Sequence, residues 1–268
     1  LCIRLDNEIY HCWVCDLKGR GIARVVGLVS ASKRAKYSQM FPQKNDKVEE
    51  QKEKFIELPD DYRLLAEPTK DPYQKEVLRY AKLRGFTEDL LWKFRCGFSR
   101  DRKWYRRLLI PSFNEEGQLN FLTGRAIDPQ NNFRYVNESI PKSEIVFNEI
   151  DVDFTRRLVL VEGPLDLVKC NFNATCLLGS TLSADSALFE RIIRNNTPII
   201  LLLDNDAKIK AMKIAKLLSS FSIDVQINFP LKSDVGDCTI EEVSNLIAQS
   251  KRFSKTSLIK TRLQGLKL

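Results

Sequence analysis

No apolar run in this 268-residue chain approaches the roughly 18 residues that a membrane helix requires, so no membrane partner is expected. No positively charged start leads into an apolar signal core, which argues against secretion and for a cytoplasmic protein. Glycine and proline are few, 11 and 10, and the chain is 43% hydrophobic and 29% charged. That is an ordinary globular composition, with apolar surface enough for one large domain or two modest ones. The seven cysteines are odd in number and lack disulfide-like spacing, so reduced thiols are expected. Most read as small core hydrophobes, and only Cys12 and Cys15 have the spacing of metal ligands. No nucleotide-binding Walker A sequence occurs, so no fused helicase is expected. The first residue is Leu1, not Met, so the chain is expected to lack its true N-terminus.

What is present is basic charge. A formal charge of +8 leans toward a polyanionic partner. Between Lys93 and Arg107 lie seven basic residues (Lys93, Arg95, Arg100, Arg102, Lys103, Arg106, Arg107) against one acid, Asp101, with Trp104 and Tyr105 inside the run. Basic groups contact phosphates and interleaved aromatics stack on bases; the competing reading is a solvated strand pair with a buried Trp.

Five segments separate along the chain. Residues 1–29 read as strand, turn, strand, and residues 30–67 are polar and linker-like at their start. Residues 68–154 open with a helical pair and continue into strands. Residues 155–250 alternate strand and helix, and residues 251–268 form a basic tail. In the alternating segment, strands are expected at Leu158–Val161, Thr175–Leu178, Pro198–Leu203 and around Ile223–Ile227. Pro164 opens one helix, Ser183 caps another, a third follows Ala207, and Thr239 with Glu242 forms a capping box on a fourth. Such alternation implies a mainly parallel sheet covered by helices.

The acids fall where ligands bind in such sheets, outside the carboxyl ends of the strands. Glu162 follows the first strand, with Asp166 in the next turn. Asp204 and Asp206 follow the third, and Asp234 and Asp237 the fourth. Asp166 and Asp237 can also be read as helix-start residues favoured by the dipole. Carboxylates so gathered would repel one another unless a cation neutralised them. Oxygen donors without nearby His or Cys suit a hard ion, Mg²⁺ or Mn²⁺, and with it phosphoryl or nucleotidyl chemistry.

These residues also carry a resemblance. Glu162-Gly163-Pro164-Leu165-Asp166 after one apolar strand, and Leu201-Leu202-Leu203-Asp204-Asn205-Asp206 after another, resemble the TOPRIM signature in its DnaG-type primase form. Leu178-Gly179-Ser180-Thr181-Leu182 is similar to the glycine turn that those primases carry between the two acidic motifs. The segment Val77 to Phe86 is similar to the helices that open primase polymerase domains. Arg106-Arg107-Leu108-Leu109-Ile110-Pro111, Gly124-Arg125 and Arg134-Tyr135-Val136-Asn137 resemble their basic strand motifs. Tyr10-His11-Cys12-Trp13-Val14-Cys15 looks like the second half of a primase zinc ribbon, whose first ligand pair would precede Leu1.

The resemblance implies an α/β chain (α+β overall): a TOPRIM domain with a mainly parallel sheet and helices on both faces, preceded by a basic mixed α+β subdomain and a truncated zinc ribbon. It implies a DNA primase, bacterial or bacteriophage, working in the cytoplasm (the host's, for a phage protein). Glu162, Asp204 and Asp206 would be catalytic metal ligands, joined by Asp166 and Asp234, and Cys12 and Cys15 would form a partial Zn²⁺ site. Arg106, Arg107, Gly124, Arg125, Arg134, Tyr135 and Asn137 would line the groove for nucleic acid and triphosphate. Partners would be a single-stranded DNA template, ribonucleoside triphosphates and a replicative helicase. A TOPRIM nuclease, or a non-catalytic single-stranded-DNA or helicase-associated module, would share much of this pattern. One departure stands out: Glu149 occupies a position where the family usually has lysine.

Overall fold

The computed structural model describes residues 2–3, 9–11, 17–40, 56–179, 181–232 and 234–254, and divides into two compact units, 1–54 and 55–268. The first unit holds three short antiparallel strands, β1 (Cys2–Ile3), β2 (Ile9–His11) and β3 (Lys18–Arg20), followed by helices α1 (Ile22–Val29) and α2 (Ala31–Met40). Tyr10 is its buried anchor, packed where Gly19 has no side chain; a Cβ on Gly19 would lie 2.5 Å from the Tyr10 hydroxyl. Helix α2 thus occupies residues whose composition reads as linker. Cys12 and Cys15 lie outside the described residues.

The second unit begins with β4 (Arg63–Leu64), α3 (Pro72–Leu83), α4 (Glu88–Lys93), β5 (Gly97–Phe98), β6 (Arg107–Phe113), β7 (Leu119–Ala126) and β8 (Tyr135–Asn137). Its strands form one antiparallel sheet in the order β4-β5-β6-β7-β8. Asp71 and Thr87 cap the two helices by accepting from the Tyr73 and Leu90 amides, and Pro72 sits where its missing N–H costs nothing.

The remainder runs β9 (Leu158–Val161), α5 (Pro164–Leu167), β10 (Ala174–Cys176), α6 (Ala187–Asn195), β11 (Ile199–Leu202), α7 (Lys208–Ser220), β12 (Val225–Asn228), α8 (Ile240–Ala248) and β13 (Lys251–Arg252). The sheet order is β10-β9-β11-β12-β13, parallel except for the edge strand β13. Both faces are covered. Leu158, Leu160, Ile199 and Leu201 pack with Phe189, Ile192, Ala211 and Leu218 of α6 and α7. Val159, Val161, Ile200 and Leu202 pack with α5, α8 and, through Val77 and Ala81, α3. This second core fuses the two sheets into one body, which is why continuous apolar strands succeed here: neither face meets water.

Three local expectations are corrected. The helix read as capped by Ser183 is capped by Ser186, whose hydroxyl accepts from the Phe189 amide at 3.3 Å. The second strand ends at Cys176, because Leu178 and Gly179 adopt positive φ (50° and 141°). The basic tail is not wholly a tail: Lys251 and Arg252 pair with β12, and Arg252 meets Asp224 at 3.1 Å.

Candidate metal centre and nucleic-acid face

Strands β9, β11 and β12 are parallel and adjacent, so their carboxyl ends open on one edge. Glu162 leaves β9 there, Asp204 leaves β11, and Asp206 follows in a 3₁₀ turn over Asn205–Ala207. One carboxylate oxygen from each of the three lies within 4.8 Å of the others. Asp204 accepts the Val235 amide at 3.1 Å, fastening the β12 loop to the cluster, and Asp234 in that loop accepts the Asp237 amide at 2.8 Å. Asp166, buried in the first turn of α5, accepts the Gly163 amide at 2.8 Å.

Burial, then the charge of Asp204, pushes the Asp166 carboxyl up to about 7 against the opposing Gly163 amide. Burial, with the charges of Glu162 and Asp234, lifts Asp204 to about 6 despite the Val235 amide. Glu162 Oε2 is buried and has no hydrogen-bond partner among the described residues. An orphaned carboxylate oxygen among repelling acids is the pattern a cation would complete, and all donors being oxygen fits a hard divalent ion.

The basic residues sort differently from the expectation. Arg106 is fully engaged: it bonds both Glu76 oxygens (2.8 and 2.9 Å) and both Asp128 oxygens (2.7 and 2.7 Å). Arg107 is buried and donates to the Gly124 and Phe133 carbonyls at 3.3 and 2.9 Å. Gly124 makes room for it: a Cβ there would lie 3.1 Å from Arg107 Cδ and 3.0 Å from the Trp104 ring. These three positions therefore build the sheet. Asn137 likewise accepts from Thr123 Oγ1 at 2.7 Å. Trp104 is 3% exposed, so the buried-Trp reading holds for it. Arg125 differs. Its Nε donates to the Tyr80 hydroxyl at 3.3 Å, and its guanidinium lies 4.6 Å over the Tyr135 ring. Burial raises the Tyr135 hydroxyl against the opposing Arg125 charge, and Tyr80 lies one turn along α3 from Arg84, whose guanidinium reaches Asp237. Arg134 is exposed next to Tyr135. Replacing Arg106 by Gln is accordingly expected to lower the unfolding temperature while leaving the salt dependence of single-stranded-DNA binding unchanged, as thermal melts and a salt titration would read.

Solved structures with the same arrangement fix the architecture. The E. coli primase catalytic core superposes with a TM-score of 0.58 at 17% identity, covering 72% of this chain and 79% of that one. The Aquifex aeolicus primase (zinc binding and RNA polymerase domains) gives 0.57 at 19% identity, covering 99% and 78%. A DnaG primase catalytic domain bound to single-stranded DNA gives 0.55 at 18% identity, covering 68% and 74%. This is the DnaG primase fold. Neither a family model nor a curated protein matches the sequence.

Within the primase fold, one residue near the acids lay outside the expected set. Arg84, at the end of α3, meets Asp237 at 3.4 Å, and its buried Nε has no partner among the described residues. Gly236 marks the convergence: a Cβ there would lie 2.9 Å from Asp166 Oδ1 and 3.2 Å from both Arg84 Nη2 and Asp234 Oδ1. The only local sequence signal was Gly85, a helix-ending glycine with φ 87°; nothing in the sequence points the Arg84 side chain at β12's loop. Gly236→Ala should fold, since the crowded atoms are side-chain tips, but it should weaken Mg²⁺ binding about ten-fold by splaying Asp166 from Asp234, a loss calorimetric titration would record. Glu149, where the resemblance led to the expectation of a lysine, is held by Arg191 at 2.8 Å.

Proposed function

We propose that the chain is a DNA primase, making short RNA primers on single-stranded DNA from ribonucleoside triphosphates. The observation that carries this reading is the convergence of Glu162, Asp204 and Asp206, with its unpartnered buried oxygen, at the strand ends of a primase fold. The neighbours named above include a primase solved with single-stranded DNA, which supports the template class.

Glu162, Asp204 and Asp206 would hold Mg²⁺ or Mn²⁺, with Asp166 and Asp234 steadying the cluster. The bound ions would lower the pKa of the attacking 3′-hydroxyl and neutralise the pyrophosphate leaving group, as in two-metal nucleotidyl transfer. Arg125 and Arg134 would contact triphosphate and template phosphates through their guanidinium forks, with Arg84, held at Asp237, nearer the acids. Tyr80 and Tyr135 fix the Arg125 plane, so little side-chain freedom remains to be lost when an anion binds. Cys12 and Cys15 would belong to a zinc ribbon that selects the start site, and the basic residues beyond Arg252 would dock DNA or a replicative helicase. A bacteriophage-type primase acting in the host cytoplasm is the version proposed.

The test is incubation of the full chain with mixed-sequence single-stranded DNA, labelled ribonucleotides, and Mg²⁺ or Mn²⁺, with and without a preformed primer end. Short RNA that needs the metal is the expected product. Shortened DNA without RNA would move the assignment to a TOPRIM nuclease, and DNA binding with neither product to a non-catalytic module.

A further inference from the structure

The turn Trp104-Tyr105-Arg106-Arg107 does something that strand alternation would not. Arg106 takes a left-handed backbone (φ 54°), which is costly for a residue other than Gly, Asn or Asp. The consequence is that Trp104 goes into the core with Leu109 and Leu122, while Tyr105 is turned outward and is 50% exposed.

The Tyr105 ring is not loose. It stacks on Tyr73, ring centroids 5.2 Å apart and planes 19° from parallel. Tyr73 is itself clamped: its hydroxyl donates to the Ser99 carbonyl at 3.1 Å and accepts the Arg106 amide at 2.7 Å. Its ring meets the edge of Phe98 at 5.3 Å, and Arg100 lies 5.0 Å above it. Tyr105 therefore presents a flat, pre-ordered ring with one face on Tyr73 and the other open.

The surroundings choose the occupant. Four basic residues adjoin the ring in the chain; Arg100, Lys103 and Arg106 are paired with Asp71, Glu138, and Glu76 with Asp128, which leaves Arg102 to meet an anion beside it. Arg102 and Arg134 are exposed, and neither is drawn into an ion pair among the described residues. The ring also lies at the sheet end that leads to the acidic centre. Strand β6 starts two residues on, at Arg107, opposite Ala126; Arg125 is opposite Tyr135 and covers its ring; and Arg125 meets Tyr80, one turn before Arg84 on α3, which reaches Asp237. Phe133, 75% exposed, is tied to Arg107 through its carbonyl. One end of the sheet thus carries aromatic rings and arginines from Tyr105 toward the acids.

We infer that Tyr105 is a stacking platform for a base of the single-stranded DNA, placed along the same sheet end as the metal centre, with Arg102 on an adjoining phosphate. The inference rests on the primase reading for the strand's identity as template. A stacked base has no need of sequence identity, since every base offers a π-face.

The experiment uses the full chain and single-stranded DNA carrying 2-aminopurine, with fluorescence quenching and anisotropy read across a salt series. Wild type should quench the probe. Tyr105→Ala should lose the quenching and bind about ten-fold more weakly, about 1.4 kcal/mol, with an unchanged salt slope. Tyr105→Phe, which keeps the ring, should behave as wild type. Arg102→Ala should do the converse, lowering the slope by about 0.7 with quenching retained. Equal affinity and quenching in Tyr105→Ala would overturn the platform while leaving a DNA-binding primase intact. A wild-type chain that neither binds single-stranded DNA nor makes RNA would overturn the primase reading, and the platform with it.

Discussion

Asp204→Asn is expected to abolish RNA synthesis, by at least about 1,000-fold, and at the same time to make the metal-free protein more stable. The two effects share one cause. Asp204 lies within reach of Glu162 and Asp206, and its carboxyl is lifted to about 6 by burial and by the charges of Glu162 and Asp234. A lifted carboxyl means that the folded protein disfavours the charge with which Asp204 would hold a cation. Asparagine keeps the shape and the oxygen that accepts the Val235 amide, and removes only the repelling charge. Relief on the order of 1 kcal/mol should raise the unfolding temperature by about 2–4 °C in a chain of this size. A metal ion contributes several kcal/mol to the transition state, and about 4 kcal/mol corresponds to the rate loss named above. The stabilisation that Mg²⁺ gives wild type should also disappear. A melting temperature below wild type without metal, or primer synthesis within ten-fold of it, would contradict the assignment of Asp204. A core residue in the same sheet gives the contrasting result: Leu160→Ala, fully buried in β9, should cost about 2–5 kcal/mol and fall in urea long before wild type.

Such a divergence of stability and function explains which parts of the molecule the sequence discloses. The parallel sheet was legible because its strands are apolar on both faces, and its acids because they follow those strands directly: Glu162 after Val161, Asp204 after Leu203. Periodicity and position suffice there. The arginines were legible only as charge. Whether a guanidinium reaches solvent or closes on a neighbour depends on residues 22 and 30 positions away, as Arg106 does with Asp128 and Glu76. No local pattern holds that information. Arg107 is the sharper case, a buried arginine satisfied by two backbone carbonyls, which composition would place on the surface. Arg84 fails for the same reason, since its partner Asp237 lies 153 positions further along the chain. Within the Trp104-Tyr105 pair, alternation could not decide which ring is buried. The left-handed Arg106 decided it, and positive φ at an arginine carries no sequence mark.

The second large effect is a stability that falls as pH rises, in the range where most proteins are steady. An ordinary aspartate titrates near 3.9. Asp166 is pushed up to about 7 by burial first and then by the Asp204 charge, and Asp204 to about 6. Both folded-state values are raised, so between pH 4 and 7 the folded chain holds protons that the unfolded chain has released. Stability must then decrease with pH across that interval, with the whole penalty present above about 8. The paired acids act in the other direction: Asp128, held down by Arg106, and Glu242, held down by Lys232, add stability that is lost only as pH falls below their unfolded values. The two sets therefore separate on the pH axis. In chelator, the melting temperature of wild type should drop from pH 5 to pH 8, a loss on the order of 2–4 kcal/mol. Asp166→Asn keeps an acceptor for the Gly163 amide and should flatten most of that slope. Excess Mg²⁺ should flatten it in wild type, because a cation replaces the protons, and Mg²⁺ affinity should climb over the same interval. If wild type and Asp166→Asn melt along parallel lines, the protons lie elsewhere and the buried aspartate is not part of the ion's charge balance.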